Sequence, residues 1–419
     1  MAAPRAPRAR AAAAAVFLLI GIAGGIAPTA RTAAARSCAN EAELAAKLGS
    51  VAYLRGSDVH VVDLSTCRDR VVARNARPPV RLSADGRWVA FGAARIVATA
   101  GGKVLRPLPA ASTRRSWAWQ PGRALLAAVT DRGGVMLGGP GRRPRRLLPD
   151  GWGAQAIRFA RNGTLLISRS LGQRREVSVS APPGWRPRLV YRVPPGQLSP
   201  PDLAGLSPDG RWLLTWPRPQ RSNSLAADGL PLYASATAQS SRPVRLTSAM
   251  LAYDEFLSWC AGRLVFVDGF GRYATRGKRL RIVSLPALRS RELSRDETLS
   301  WVSPACSPDG RLVAAAAGRN YVEPRFGRES RSIWLLATDG SSRRRLTTAP
   351  NVATSDEAPR FSRDGEVVLF WRTRADGRGA LYGVRADTGR IYGPLAHGGP
   401  TGNYYGRYSW HDASDWSPR

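Results

Sequence analysis

The sequence predicts an all-β fold, a β-propeller of eight blades with seven as the alternative. A hairpin motif recurs along the chain, its copies are evenly spaced, and the run after each turn is apolar on both faces. The motif is clearest at Leu206-Ser-Pro-Asp-Gly-Arg-Trp-Leu-Leu-Thr-Trp216. Copies run through Leu82 to Phe91, Phe159 to Ile167, Cys306 to Ala314 and Phe361 to Phe370, with weaker ones at Trp119 to Leu126 and Trp259 to Phe266. Their glycines, Gly86, Gly122, Gly163, Gly210, Gly262, Gly310 and Gly365, recur about every 46 residues, within the range of four short strands per propeller blade.

The residue types account for each piece of the repeat. Asp-Gly or Asn-Gly supplies a tight turn, because glycine accepts positive φ without a Cβ clash and the Asx side chain bonds its own backbone. In Ser207-Pro-Asp-Gly210 the proline also presets φ. The following runs, such as Leu125 to Val129, Leu264 to Val267 and Val367 to Phe370, suit strands covered on both sides, as middle strands are when blades stack.

Taken in order, residues 1–35 read as an export signal. Arg5, Arg8 and Arg10 precede the apolar run Ala11 to Pro28, and Ala33-Ala-Ala35 offers a small-residue cleavage site. The same run is long enough for an uncleaved membrane anchor, although its alanine content and Pro28 favour cleavage. Either way the chain is expected to be exported: secreted, periplasmic or held at the cell envelope. Residues 36–49 are a short lead-in. Val51 to Leu54, Asp58 to Leu64 and Arg70 to Val72 then look like the second, third and fourth strands of a blade that lacks its first. One period beyond Gly365, Tyr404 to Asp412 reads as a strand entering a turn. A C-terminal strand there would complete the N-terminal blade and remove the open edge. A single propeller over 50–412 follows, with 413–419 as a tail.

With 419 residues, 43% hydrophobic and 22% charged, the chain can bury a sizeable core and is not a disordered polymer. The formal charge of +33 has the size of a nucleic-acid footprint. Position argues otherwise. The arginines cluster where outermost strands should lie: Arg142, Arg143, Arg145 and Arg146; Arg186 and Arg188; Arg242 and Arg245; Arg289 and Arg291; Arg343, Arg344 and Arg345. Charge on an unpaired edge discourages edge-to-edge association, so a protective rim and a monomer are expected, with no specific nucleic acid.

Four cysteines in an exported chain suggest disulfides, and three pairings are possible. Cys38–Cys67 with Cys260–Cys306 is favoured, because each pair joins neighbouring elements. No Cys-x-x-Cys occurs, which weakens redox and zinc readings.

The repeats resemble those of TolB-type propellers over nearly all of 50–412. Ser-Pro-Asp-Gly is followed by an apolar strand, then by a strand such as Ser332-Ile-Trp-Leu-Leu-Ala337, then by Asp339-Gly-Ser-Ser-Arg-Arg-Arg-Leu-Thr347. The resemblance implies an exported binding or scaffold protein, or the non-catalytic part of a peptidase. TolB's N-terminal α/β domain has no counterpart, so its partners do not carry over.

The loops between second and third strands share a face with the loops that lead into the next blade. Three consecutive second-to-third loops are long: 217–229, 269–278 and 318–329. They carry Arg272, Arg319 and Arg325 interleaved with Tyr273, Tyr321 and Phe326. Lead-in loops on the same face carry Asp254-Glu255, Asp296-Glu297 and Asp356-Glu357. Together these predict an acidic arc at the channel mouth inside an arginine–aromatic collar, a candidate ligand surface. The alternative is that each acid pair bonds the backbone where the chain enters an inner strand. Ca²⁺ would need further oxygens from converging loops, so no metal and no cofactor are expected.

Catalytic signals are thin. His60, His397 and His411 are the only histidines, and neither Gly-x-Ser-x-Gly nor His-Glu-x-x-His occurs. Gly269 to Ala274 mimics a dinucleotide fingerprint without the helix that such a site needs. The expected function is non-catalytic: one loop face offered to a protein or an anionic envelope polymer. The alternative is a hydrolase or lyase acting on extracellular or envelope polysaccharide through the channel-mouth carboxylates.

Overall fold

The computed structural model describes residues 48–109, 116–172, 174–193, 202–217, 229–238, 242–285, 287–321 and 329–418. Cys38 and the 1–35 segment lie outside them, as do Arg325 and Phe326. Among the described residues no helix is long and apolar enough to cross a membrane.

Among the described residues, eight antiparallel sheets are arranged as propeller blades, and a ninth, two-stranded one stands apart. Blade 1 holds Ser50–Arg55, Asp58–Asp63 and Arg68–Ala73, with Ser414–Ser417 as its innermost strand. Among the described residues blade 2 holds three strands, Val80–Leu82, Trp88–Phe91 and Arg95–Ala98, with Leu105 bridged to Ile96 beyond the third. Blades 3 to 8 are four-stranded, with innermost strands Trp117–Trp119, Ala154–Phe159, Asp202–Leu206, Leu257–Cys260, Leu299–Cys306 and Thr354–Phe361.

The repeated turn explains the conserved spacing of its residues within the chain. In blade 5 the Gly210 amide donates to the Ser207 carbonyl at 2.8 Å, while the Arg211 amide donates to Asp209 Oδ1 at 3.0 Å. The Trp212 amide donates to Ser207 Oγ at 2.9 Å, so the serine pins the start of the second strand. Ser83, Ser307 and Ser362 repeat that bond to Trp88, Leu312 and Val367. The loop is therefore wider than a two-residue hairpin, because the serine and aspartate replace ladder bonds. Glycine is required at its end: Gly310 has φ +71°, and a Cβ there would lie 2.5 Å from Ala261 Cβ of blade 6.

The apolar second strands are covered on both faces. Leu213, Leu214, Thr215 and Trp216 are all buried, as are Val367 to Phe370. The core consequently sits between blades rather than inside any one of them. One apolar cluster joins Trp216 of blade 5 to Phe266, Trp301, Ile333 and Phe370, and another joins Trp371 of blade 8 to Tyr53 and Phe91. Outermost strands carry the arginine rim: Arg142, Arg143, Arg145, Arg146, Arg188, Arg245, Arg289 and Arg343 to Arg345 are exposed.

The closing strand lies further along the chain than the period predicts. Ser414–Ser417 pairs antiparallel with Ser50–Arg55, Val51 opposite Trp416. The stretch expected to form it instead makes a two-stranded hairpin, Asn403–Tyr404 with Arg407–Tyr408, and one helical turn, Trp410–Ala413. Tyr405 and Gly406 turn that hairpin at φ 52° and 83°. Closure is tied on both sides, since Asp415 pairs with Arg360 of blade 8 at 2.6 Å and accepts the Leu82 amide of blade 2 at 2.8 Å.

Cys260 and Cys306 form a disulfide between the inner strands of blades 6 and 7, with Cα atoms 5.3 Å apart. Cys67 is also disulfide-bonded. His60 packs on Tyr53, ring centroids 5.3 Å apart, and shares Asp69 with the Tyr53 hydroxyl.

Candidate functional site

The loops that leave second strands and those that lead into first strands gather on one face. The C-terminal hairpin lies among them, bonded to blades 6 and 7. The Ala274 amide donates to the Tyr405 carbonyl at 2.9 Å, and Arg331 Nη2 donates to the Gly406 carbonyl at 2.7 Å. Asn403 Nδ2 and the Tyr408 hydroxyl both donate to Glu329, each at 3.0 Å. A Cβ on Gly406 would lie 2.9 Å from Thr275, so the hairpin is seated closely against the blade 6 loop.

Each predicted carboxylate has its own arginine. Asp254 bridges to Arg158 on the inner strand of blade 4 at 2.5 Å and stays half exposed. Glu255 is buried against Arg407 of the hairpin. Burial pushes its carboxyl above the ordinary range while the Arg407 guanidinium opposes that shift. Arg407 also lies 4.0 Å over the Tyr253 ring and 3.3 Å from Asp412. Asp296 accepts the Thr298 hydroxyl and amide, which hold it below the usual carboxylate range, and pairs with Arg343 at 3.3 Å. Glu297, 82% exposed, meets Arg279 at 2.9 Å.

The third pair runs deepest. Asp356 is fully buried, gripped by Arg372 Nε and Nη2 at 2.7 and 2.9 Å and by the Thr347 hydroxyl at 2.6 Å. Glu357 takes Arg331 Nη1 at 2.6 Å and the Ser355 hydroxyl. The acids thus do not form a common open arc. They alternate with arginines, which neutralises them where solvent is excluded. Among the described residues no three His, Cys, Asp or Glu side chains converge to hold a metal ion.

The collar residues are brought together more fully. Tyr273 packs edge-on against Tyr405 with centroids 5.4 Å apart, and Arg272 lies 5.2 Å over the same ring, its Nη1 donating to the Tyr405 hydroxyl at 3.3 Å. Tyr404 packs edge-on against Tyr405 at 4.6 Å. Phe270 and Tyr404 are 79% and 48% exposed, large apolar rings turned to solvent. Arg319 lies 5.9 Å from the Tyr321 ring, and the Tyr321 amide donates to the Thr275 carbonyl at 3.1 Å, which joins the blade 7 loop to the cluster.

Lys278 fixes the blade 6 loop from below. Its buried ammonium donates to the carbonyls of Gly269, Phe270 and Gly271 at 3.2, 2.8 and 2.7 Å, and burial lowers its pKa to about 8. Its rarity was the only signal in the sequence: lysine occurs at Lys47, Lys103 and Lys278 alone. Arg407 and Glu329 carried no signal, because their partners lie far away in the chain.

The aromatic residues near the C-terminus divide between two roles. Trp410 and Tyr408 are buried as packing, whereas Tyr404 and Tyr405 join the collar. His411 sits beside the closing strand, its Nδ1 accepting from Arg360 Nη2 at 3.3 Å. Burial, then Arg360, Arg81 and Arg407, lower its pKa well below the ordinary value. The folded state therefore resists the proton that the unfolded chain takes up. Stability should fall as pH drops below about 6.5, by at most about 1.4 kcal/mol per unit. Urea titrations of the parent and His411→Gln between pH 7 and 5 test this: the variant should show a smaller acid-side loss.

No family profile matches the chain, and none of the curated proteins matches it either. Solved structures do. A putative TolB from Agrobacterium tumefaciens is 17% identical, covering 89% of this chain and 99% of its own, at a TM-score of 0.35. An oligogalacturonate lyase from Vibrio parahaemolyticus is 10% identical over 82% of this chain and 84% of its own, at 0.45. The dihydro-heme d1 dehydrogenase NirN, in complex with DHE, is 16% identical over 82% of this chain and 72% of its own, at 0.51. At these identities the likeness to NirN extends to the propeller fold and no further.

Proposed function

We propose that the protein is an exported, non-catalytic binding propeller whose ligand surface is the arginine–aromatic cluster of Phe270, Arg272, Tyr273, Tyr404 and Tyr405. The observation that carries this reading is the exposure of Phe270 and Tyr404 on a loop cluster fixed from below by Lys278. Rigid, amphipathic rings beside a guanidinium suit a protein partner or the sugar rings of an envelope polymer. Export rests on the N-terminal run of residues 1–35 and on the disulfides.

The alternative, a hydrolase or lyase, needs carboxylates that are free to exchange protons. The pairing of every predicted acid with an arginine weighs against it. Binding of an envelope fraction, measured at low and high salt, should fall at least about tenfold in Phe270→Ala/Tyr404→Ala, as for loss of central aromatic anchors. Unchanged retention would refute the collar. Turnover of an envelope polysaccharide that is abolished in Asp254→Asn/Glu297→Gln would instead establish the catalytic reading.

A further inference from the structure

A second feature of the same face is independent of the collar. Blade 8 and blade 1 are joined where Gly399 exchanges backbone bonds with Leu54 and Gly56, both at 2.9 Å. Between them lies a cleft of about 830 Å³, lined by Arg55, Arg372, Arg374, Arg378, Tyr382 and His397 among others, with no carboxylate in its wall. Arg372 is neutralised by Asp356 beneath it. Arg55, Arg374 and Arg378 are exposed, and among the described residues their guanidinium groups have no hydrogen-bond or ion-pair partner.

Of the nearby acids, Asp58 stands across the hairpin from Arg55 without an ion pair to it, and two others are engaged. Asp376 is turned to the Arg378 amide at 3.0 Å, and Asp69, the carboxylate that feels Arg55, holds Tyr53 and His60. The arrangement differs from the rim, where arginines spread along outer edges. Here three uncompensated guanidinium groups come from two blades and converge on one concavity. The positions are set by rigid pieces: Arg374 and Arg378 bracket a turn closed by the Arg374 amide donating to the Arg378 carbonyl at 2.8 Å, and Arg55 ends a strand. Such forks match oxyanions in two-point fashion.

The geometry points to an anion-binding site in this cleft, for a ligand that carries several phosphate or carboxylate groups. The volume exceeds a single oxyanion, and three separate guanidinium groups require more than one negative centre for full pairing. Tyr382 and His397 add a ring face and a hydrogen-bonding edge to the wall.

The test is calorimetric titration of the full chain with tripolyphosphate and with citrate, at about 150 mM salt to screen diffuse attraction. Arg55→Gln/Arg374→Gln/Arg378→Gln is compared with a rim variant of equal charge, Arg142→Gln/Arg143→Gln/Arg145→Gln. The cleft variant should lose at least about tenfold in affinity and the rim variant less than about twofold. Tighter tripolyphosphate binding assigns a phosphorylated ligand, tighter citrate binding a carboxylated one. Equal losses in both variants, or no binding of either probe, would overturn the site. Because the collar is untouched, its fate is decided separately.

Discussion

Trp410→Ala is expected to lower the unfolding free energy by about 3–5 kcal/mol, the range for deleting a large buried aromatic side chain. Trp410 is fully buried and stacks on Trp371 with centroids 4.0 Å apart and planes 1° from parallel. Its Nε1 donates to the Thr373 hydroxyl at 2.7 Å. The residue stands immediately before the closing strand, so the cavity would open where the ring is sealed. Trp410→Phe keeps part of the packing but removes the bond to the Thr373 hydroxyl, which still donates to the Trp371 carbonyl, and should lose less. Chemical denaturation followed by far-ultraviolet circular dichroism measures both. An alanine variant within about 1 kcal/mol of the parent would mean that the ring closes without this contact, since such values are typical of substitutions outside the core.

Glu357→Gln should cost about 3–5 kcal/mol, because it leaves the Arg331 charge buried without its counter-ion. Both side chains are almost wholly enclosed, at 1% and 4% exposure. Arg331 also donates to the Gly406 carbonyl, so the pair links blade 8 to the C-terminal hairpin. Adding Arg331→Met to Glu357→Gln should recover part of the loss, as removal of both charges is far less costly than removal of one. A double variant no better than the single one would show that the hairpin contact, rather than the unpaired charge, dominates. Binding by the collar should weaken in both, since Tyr404 and Tyr405 ride on that hairpin.

The propeller was legible because its information is local. A Ser-x-Asp-Gly turn and the apolar strand behind it lie within ten residues, and even the weak copy at Trp259 to Phe266 forms the hairpin expected of it. The Cys260–Cys306 bond was readable for a related reason, since one period separates the inner strands of adjacent blades. The acid pairs were found in sequence but not understood. Their residue types announced buried or reactive charge, while the arginines that neutralise them stand up to 152 positions away, as Arg407 does from Glu255.

The sequence alone determined the propeller architecture, with eight blades favoured over seven, and the placement of arginine on outer edges, because hydrogen bonding between neighbouring strands and burial of alternate faces depend on short stretches. Only the tertiary structure decided that Ser414–Ser417, not the preceding aromatic stretch, closes the ring, and that this stretch packs against the loops of blades 6 and 7. It also decided which arginines are consumed and which, at Arg55, Arg374 and Arg378, have no ion pair among the described residues. Those outcomes turn on which charges meet once the ring has formed, and Coulomb attraction between distant segments leaves no periodic trace in the chain.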